Sequence, residues 1–140
     1  MSDTGFRLQL VCPQFQLAFD EVGMAVIPGV EGDFGVMPRH APMLSMLRPG
    51  VVEVHAADGE TQRIFVRDGF AEVLSGDVTL LAEEIVELEK LDAADLAQQI
   101  QNAKEDVADA KDDETRETAQ AALERLEQLG RAAGVGPSAA

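Results

Sequence analysis

The chain has 140 residues and a formal net charge of −15 at pH 7, from 11 Lys and Arg against 26 Asp and Glu. That length makes one domain, or one domain with an appendage. The charge argues against nucleic acid or an anionic lipid surface as a direct partner, and favours solubility and basic protein surfaces. Trp and Tyr are absent and all six Phe lie at or before Phe70, so the core belongs to the N-terminal part. The single Cys12 rules out an internal disulfide, suits a reducing compartment, and reads as a small buried hydrophobe at a strand end. No run approaches the roughly 20 apolar residues of a membrane span. The start of the chain resembles neither a signal peptide nor a transit peptide. Direct membrane insertion is therefore not expected, and any membrane association would come through a partner.

Phe6, Leu8 and Leu10 alternate with Arg7 and Gln9, and Phe15, Leu17 and Phe19 with Gln14, Gln16 and Ala18, which predicts two half-buried strands joined by a turn at Cys12-Pro13. Met24 to Ile27 is a third strand, closed by Pro28-Gly29. The stretch Gly29 to Gly50 then holds four glycines, Gly29, Gly32, Gly35 and Gly50, and three prolines, Pro38, Pro42 and Pro49. Glycine permits positive φ, while proline fixes φ and removes a donor, so the backbone path here is tightly specified. The apolar pieces between these breaks suit strands and are too short for helices. The stretch reads as a shaped loop surface on a β framework, with Asp33 and His40 at its turns, built to meet another protein. Val51 to His55 and Arg63 to Arg67 follow, joined by Asp58-Gly59. Asp68-Gly69 and Gly76-Asp77 bracket Phe70 to Leu74, and Val78 to Ala82 comes last. Asp-Gly between alternating runs signals a hairpin, and many short strands between turns mean a sandwich or barrel.

Near Leu88 the texture changes. Glycine is absent from Asp77 to Leu129, and Ala, Gln, Glu, Asp and Lys take over, a helical composition. Leu96, Ile100, Ala103, Val107 and Ala110 form one helical face, with Asp92 as N-cap and Asp95 in the capping-box position. Ala119, Ala122, Leu123, Leu126 and Leu129 form a second, with Gly130 expected as its C-cap and a frayed tail from Ala132 to Ala140. A short connection makes the pair an antiparallel hairpin. Its alanine-rich seam buries little area, so it is expected to lean on the sandwich or on a partner. The predicted fold class is α+β, with a β-sandwich over residues 1–86 and a helical hairpin over 87–140. Each part carries 13 carboxylates, so the shorter helical part is the more densely acidic and offers no cationic face.

The only two histidines, His40 and His55, are the candidates for metal or acid–base chemistry. His55 alternates beside Glu53 and reads as a surface position, and His40 between two prolines reads as a partner contact. No spacing of His, Cys and carboxylate suits a metal, and no cofactor is implied. Gly29 to Gly35 lacks the lysine and the ensuing helix of a phosphate loop. Ser45 and Ser75 have no nucleophile-elbow context, and Glu83-Glu84, adjacent on a strand, point to opposite faces. No active site is expected.

The run Glu31-Gly-Asp-Phe-Gly-Val-Met-Pro-Arg-His-Ala-Pro-Met-Leu44, followed by Arg48-Pro-Gly50, resembles the signature region of the ε subunit of bacterial F-type ATP synthases. The likeness continues at Asp68-Gly-Phe-Ala-Glu-Val-Leu74 and Asp77-Val-Thr-Leu-Leu-Ala-Glu83, then into the helical pair. One departure is Arg39, where the family usually has glycine. The resemblance implies a flattened sandwich of about ten strands, without catalytic residues. It also implies a place in the central stalk at the cytoplasmic face of the bacterial inner membrane. The expected partners are the γ subunit, the c-ring and, through the hairpin, the catalytic α and β subunits. Asp33, Arg39, His40, Ala41 and Pro42 then become the c-ring or γ interface, with Met43 and Leu44 on γ or in the core. A free-standing β-sandwich binding module with a helical tail is the alternative, and a small carboxylate-dependent hydrolase is a weaker third.

Some members of that family clasp ATP with a pattern like Ile/Leu-Asp-x-x-Arg-Ala and further cations about two turns on. Here the matching run is Leu91-Asp92-Ala93-Ala94-Asp95-Leu96. Asp92 is retained, Asp95 replaces the arginine, and Gln101 and Asn102 stand near the later cation positions. A polyphosphate needs positive charge, so no ATP site is expected. The family's inhibitory state sets basic hairpin residues against an acidic segment of the β subunit. Here Lys104, Lys111, Arg116, Arg125 and Arg131 are spread along a net-acidic hairpin, so weak or absent inhibition of ATP hydrolysis is expected.

Overall fold

The structure is a computed structural model that describes residues 5–135. Seven strands run through the first part: β1 (Phe6–Val11), β2 (Gln16–Gly29), β3 (Gly32–Val36), β4 (Met43–Leu47), β5 (Gly50–Ala56), β6 (Thr61–Leu74) and β7 (Asp77–Glu87). A 3-10 turn at Leu88–Lys90 precedes helices α1 (Ala93–Asp109) and α2 (Asp113–Ala133). The chain divides into two compact units, Met1–Glu89 and Lys90–Ala140.

The expected ten short strands appear as segments of these seven continuous ones. β2, β6 and β7 are long enough to serve both layers of the sandwich. One layer joins the first half of β2 to β1, β1 to the first half of β7, that to the second half of β6, and that to β4. The other joins β3 to the second half of β2, then to β5, the first half of β6 and the end of β7. Each layer thus has five segments. The crossings fall at kinks: Glu21 in β2 and Asp68 in β6 take φ of 54° and 55°. An L-residue in this region bends a strand sharply.

Two sequence expectations change as a result. Leu17 to Phe19 and Met24 to Ile27 belong to one strand of 14 residues, whereas Phe15 lies just outside it and is exposed. Asp68-Gly69 is a bend inside β6 rather than a hairpin, because both flanks pair with the same strand, Arg67 with Glu84 and Gly69 with Ala82. Gly69 is needed there: a Cβ on it would lie 1.7 Å from the Leu81 carbonyl oxygen. Asp58-Gly59 does turn β5 into β6, with Gly59 at φ +99° and Ala56 N donating to Glu60 O at 2.8 Å. The β1–β7 pairing is parallel, Leu8 against Val78 and Leu10 against Leu80, a non-local contact that no hairpin signal announces.

Alternation decides which side chains fill the interior. Leu8, Leu10, Ala71, Val73, Val78 and Leu80 point inward from one layer, and Val22, Ala25, Ile27, Val52, Val54, Ile64 and Val66 from the other, all buried. Cys12 is buried at the end of β1, its thiol 3.4 Å from the Phe15 carbonyl. At the kink of β6, Arg67 hydrogen-bonds Glu84 at 2.8 Å and also Asp68. Burial opposes its charge, but these two carboxylates hold the guanidinium above its ordinary pKa.

In the second unit Asp92 caps α1, accepting from Asp95 N at 3.0 Å. Asp112 caps α2, accepting from Thr115 N at 2.7 Å, and this bond lowers its pKa. The connection Ala110–Asp112 is short, so the helices run antiparallel. Leu96, Ile100 and Ala103 are buried on α1, and Leu123, Leu129 and Gly130 on α2. Gly130 is not the expected C-cap. It lies inside α2, where a Cβ would come within 3.1 Å of the Ile100 side chain and 2.5 Å of the Val135 carbonyl. The cap is Gly134, at φ 73°, with Val135 N returning to Gly130 O at 2.7 Å. Ala132 and Ala133 are therefore helical rather than frayed, and residues 136–140 of the expected tail lie outside the described residues.

Candidate functional site

The Gly29–Gly50 stretch folds back on itself. The β2–β3 hairpin pairs Gly29 with Gly32, and β4 returns so that Leu47 also meets Gly29. Two backbone bonds tie the return, Val30 N to Met46 O at 2.9 Å and Arg48 N to Pro28 O at 3.0 Å. Gly29 is buried where a Cβ would lie 2.9 Å from Gly32 O, so this crossing admits only glycine. Asp33 stands exposed beside the hairpin tip and pairs with Arg48, which joins β4 to β5.

The other predicted contact residues lie elsewhere. Met37 to His40 form a turn closed by His40 N donating to Met37 O at 3.1 Å. Arg39 takes φ 71° in that turn, a left-handed value that glycine adopts without strain. Arg39, expected as a departure from glycine, thus holds a backbone conformation that suits glycine. Arg39, Ala41 and Pro42 are exposed, and His40 is half-buried with Nδ1 donating to Ala41 O at 2.7 Å. The imidazole's Nε2 is then the nitrogen left for a partner. Asp33 opens β3, and Arg39 to Pro42 follow its far end. A five-residue strand spans roughly 15 Å, so the five residues form two clusters, one at each end of the stretch.

Met43 packs against the core, whereas Leu44 is 66% exposed. Leu44 belongs to a surface that strand patterning alone did not mark. On the outer face of the β1–β7–β6–β4 layer, Val11 pairs with Leu81, Leu81 with Phe70, and Phe70 with Met46. Directly paired residues share a face, so these four make a continuous apolar row across four strands. Leu81 is 40% and Met46 55% exposed, and Leu74, farther along the same face of β6, is 50% exposed. Leu80-Leu81 was the available signal, since two adjacent leucines on a strand cannot both face the core. Around the row, the alternating outward positions carry Glu72, Asp77 and Glu83, and Arg7 is paired with Asp20 at 3.9 Å. A solvated apolar row with an acidic rim has the composition of a protein contact.

Groups that could do chemistry are engaged structurally. His55 sits between Glu53 and Thr61, 3.2 Å from each. Among the described residues no group of three or more His, Cys, Asp or Glu could hold a metal ion, and no polar or charged residue is buried. No helix among them is long and apolar enough to cross a membrane.

The family model described as ATP synthase, Delta/Epsilon chain, beta-sandwich domain matches residues 5–88, the sandwich that carries both surfaces. The chain belongs to the ε-chain family of F-type ATP synthases. Among curated ε chains, that of Parvibaculum lavamentivorans is 51% identical over 82 residues, covering 59% of this chain and 62% of the relative. The ε chain of Rhodospirillum rubrum is 48% identical over 82 residues, covering 59% and 61%. The aligned part thus spans less than two thirds of these relatives' length. Among solved structures, a chain of the Euglena gracilis mitochondrial ATP synthase, OSCP/F1/c-ring in rotational state 1, aligns with a TM-score of 0.72. It is 28% identical, and the alignment covers 94% of this ε chain and 82% of the other. A chain of the central stalk and c-ring of the Tetrahymena thermophila enzyme shares the fold, with a TM-score of 0.62 at 12% identity and coverage of 95% and 99%.

Proposed function

We propose that this ε chain is a non-catalytic subunit of the central stalk of a proton-translocating ATP synthase, at the cytoplasmic face of the bacterial inner membrane. Its sandwich binds γ and rests on the polar loops of the c-ring, so that the subunit turns with the rotor and couples proton flow to ATP synthesis. The observation that carries this reading is the apolar row Val11–Leu81–Phe70–Met46, left solvated on a domain that the family model matches over residues 5–88. Docking the row on γ removes it from water at roughly 25 cal/mol per Å2. The two ends of the Gly29–Gly50 stretch then act as separate contacts. Asp33 meets the c-ring or the foot of γ, and Arg39, His40, Ala41 and Pro42 form the second point. A rotor part needs several contacts on a stiff frame to pass torque without slipping, and a sandwich with continuous strands through both layers is such a frame.

In this reading the domain that docks is about residues 1–86, and the remainder is a helical appendage that inhibits ATP hydrolysis weakly or not at all. Neither carboxylate at the start of α1 is arranged for a nucleotide, since Asp92 accepts from Asp95 N and Asp95 accepts from Gln99 Nε2 at 2.8 Å. Cysteines placed at Asp33 and at His40 in the full chain test the contacts. Each crosslinks to a c-ring loop or to γ in the assembled enzyme. A subunit that neither co-purifies with the synthase nor crosslinks at either position is a free-standing binding module instead.

A further inference from the structure

One end of the apolar row opens into a recess of about 390 Å3 beneath the β6 kink. Val11, Phe70 and Leu81, three of the four residues of the row, line it together with Pro13, and Asp68 and Glu83 bring carboxylates to it. We propose that this recess seats a cationic side chain, Lys or Arg, carried by the protein that docks on this face. The proposal rests on the docking function given above and names what the partner must present there: an apolar ridge ending in a cation.

The choice of a cation follows from the lining. Asp68 is already paired with Arg67. Glu83 is exposed and makes no hydrogen bond or ion pair among the described residues, so it is the carboxylate left to neutralise. A docked surface removes Glu83 from water. An apolar side chain in the recess leaves that charge desolvated and unpaired, and an acidic one repels it. A Lys or Arg satisfies both requirements, laying its methylenes along Val11, Pro13 and Leu81 and bringing its charge to Glu83. Phe70 adds an aromatic surface on which a guanidinium can stack. Both the recess and the rim are acidic, so the same residues steer a basic partner to this face.

The test measures binding of the γ subunit from the same synthase to the full chain at low and high salt. Glu83→Gln weakens binding about fivefold at low salt and Glu83→Lys more than tenfold, with both differences shrinking as salt screens the pair. Thermal melting of both variants stays at the wild-type value, because Glu83 is exposed and unpaired. Leu81→Asp and Met46→Asp in the row abolish binding at any salt. If the row variants abolish binding while Glu83→Gln and Glu83→Lys bind like wild type, the cationic seat is wrong and the docking function stands. If the row variants bind like wild type, docking on this face is wrong, and the seat falls with it.

Discussion

Glycines show at the residue scale how far sequence can be read. Gly69 reads as half of an Asp-Gly hairpin signal, and Gly130 as a helix stop. Both are positions where another backbone comes too close for a Cβ, the Leu81 carbonyl in one case and the Val135 carbonyl in the other. Spacing along the chain carries no information about such an approach, because the crowding atom comes from elsewhere in the fold. Gly59, where the turn is local, reads correctly. Gly69→Ala is therefore expected to destabilise the sandwich by about 3 kcal/mol or more, since β6 and β7 must separate to admit the methyl group. Gly35→Ala, with nothing within 4 Å of the added atom, costs little by comparison. Urea unfolding followed by circular dichroism measures both, in a chain without Trp or Tyr. Equal stability of Gly69→Ala and wild type would show that the close approach is not real.

Elements divide into those set by local pattern and those set by pairing. The helices fall into the first class: Leu96, Ile100 and Ala103 recur on one face, and Asp92 caps α1. In the second class the positions of strand residues are legible, but their continuity is not. Glu21 and Asp68 kink β2 and β6 without ending them: β2 passes from β1 to β5 at Val22, and β6 keeps β7 as its partner on both sides of the kink. The predicted contact residues suffered similarly. Asp33 and His40 are legible as turn residues, but only the extended strand β3 between them puts them at opposite ends of the folded stretch. The hairpin's own chemistry remains local, and its acidity argues for weak or absent inhibition of hydrolysis. ATP hydrolysis by the assembled enzyme should change less than twofold when the chain is ended before Leu91, and calorimetry should show no micromolar Mg-ATP binding to the full chain. A several-fold rise in hydrolysis on deletion would mean that the hairpin inhibits despite its charge.

On the scale of the whole molecule, net charge and surface pattern point the same way. A charge of −15 favours solubility and argues against polyanions as partners, while the apolar row offers one face suited to a basic, partly apolar partner. The row was hidden from sequence analysis because its members come from four strands, and only the pairing brings Val11, Leu81, Phe70 and Met46 into line. The acidic rim and the recess depend on the same pairing. Proton-driven ATP synthesis measures the consequence most directly, in membrane vesicles stripped of this subunit and then supplied with the wild-type chain or with a Met46→Asp, Leu81→Asp double variant. Both substitutions lie on exposed positions, so the variant folds like wild type. The wild-type chain restores synthesis and the variant does not bind or restore it. Full restoration by the variant would contradict the assignment of this face to the rotor.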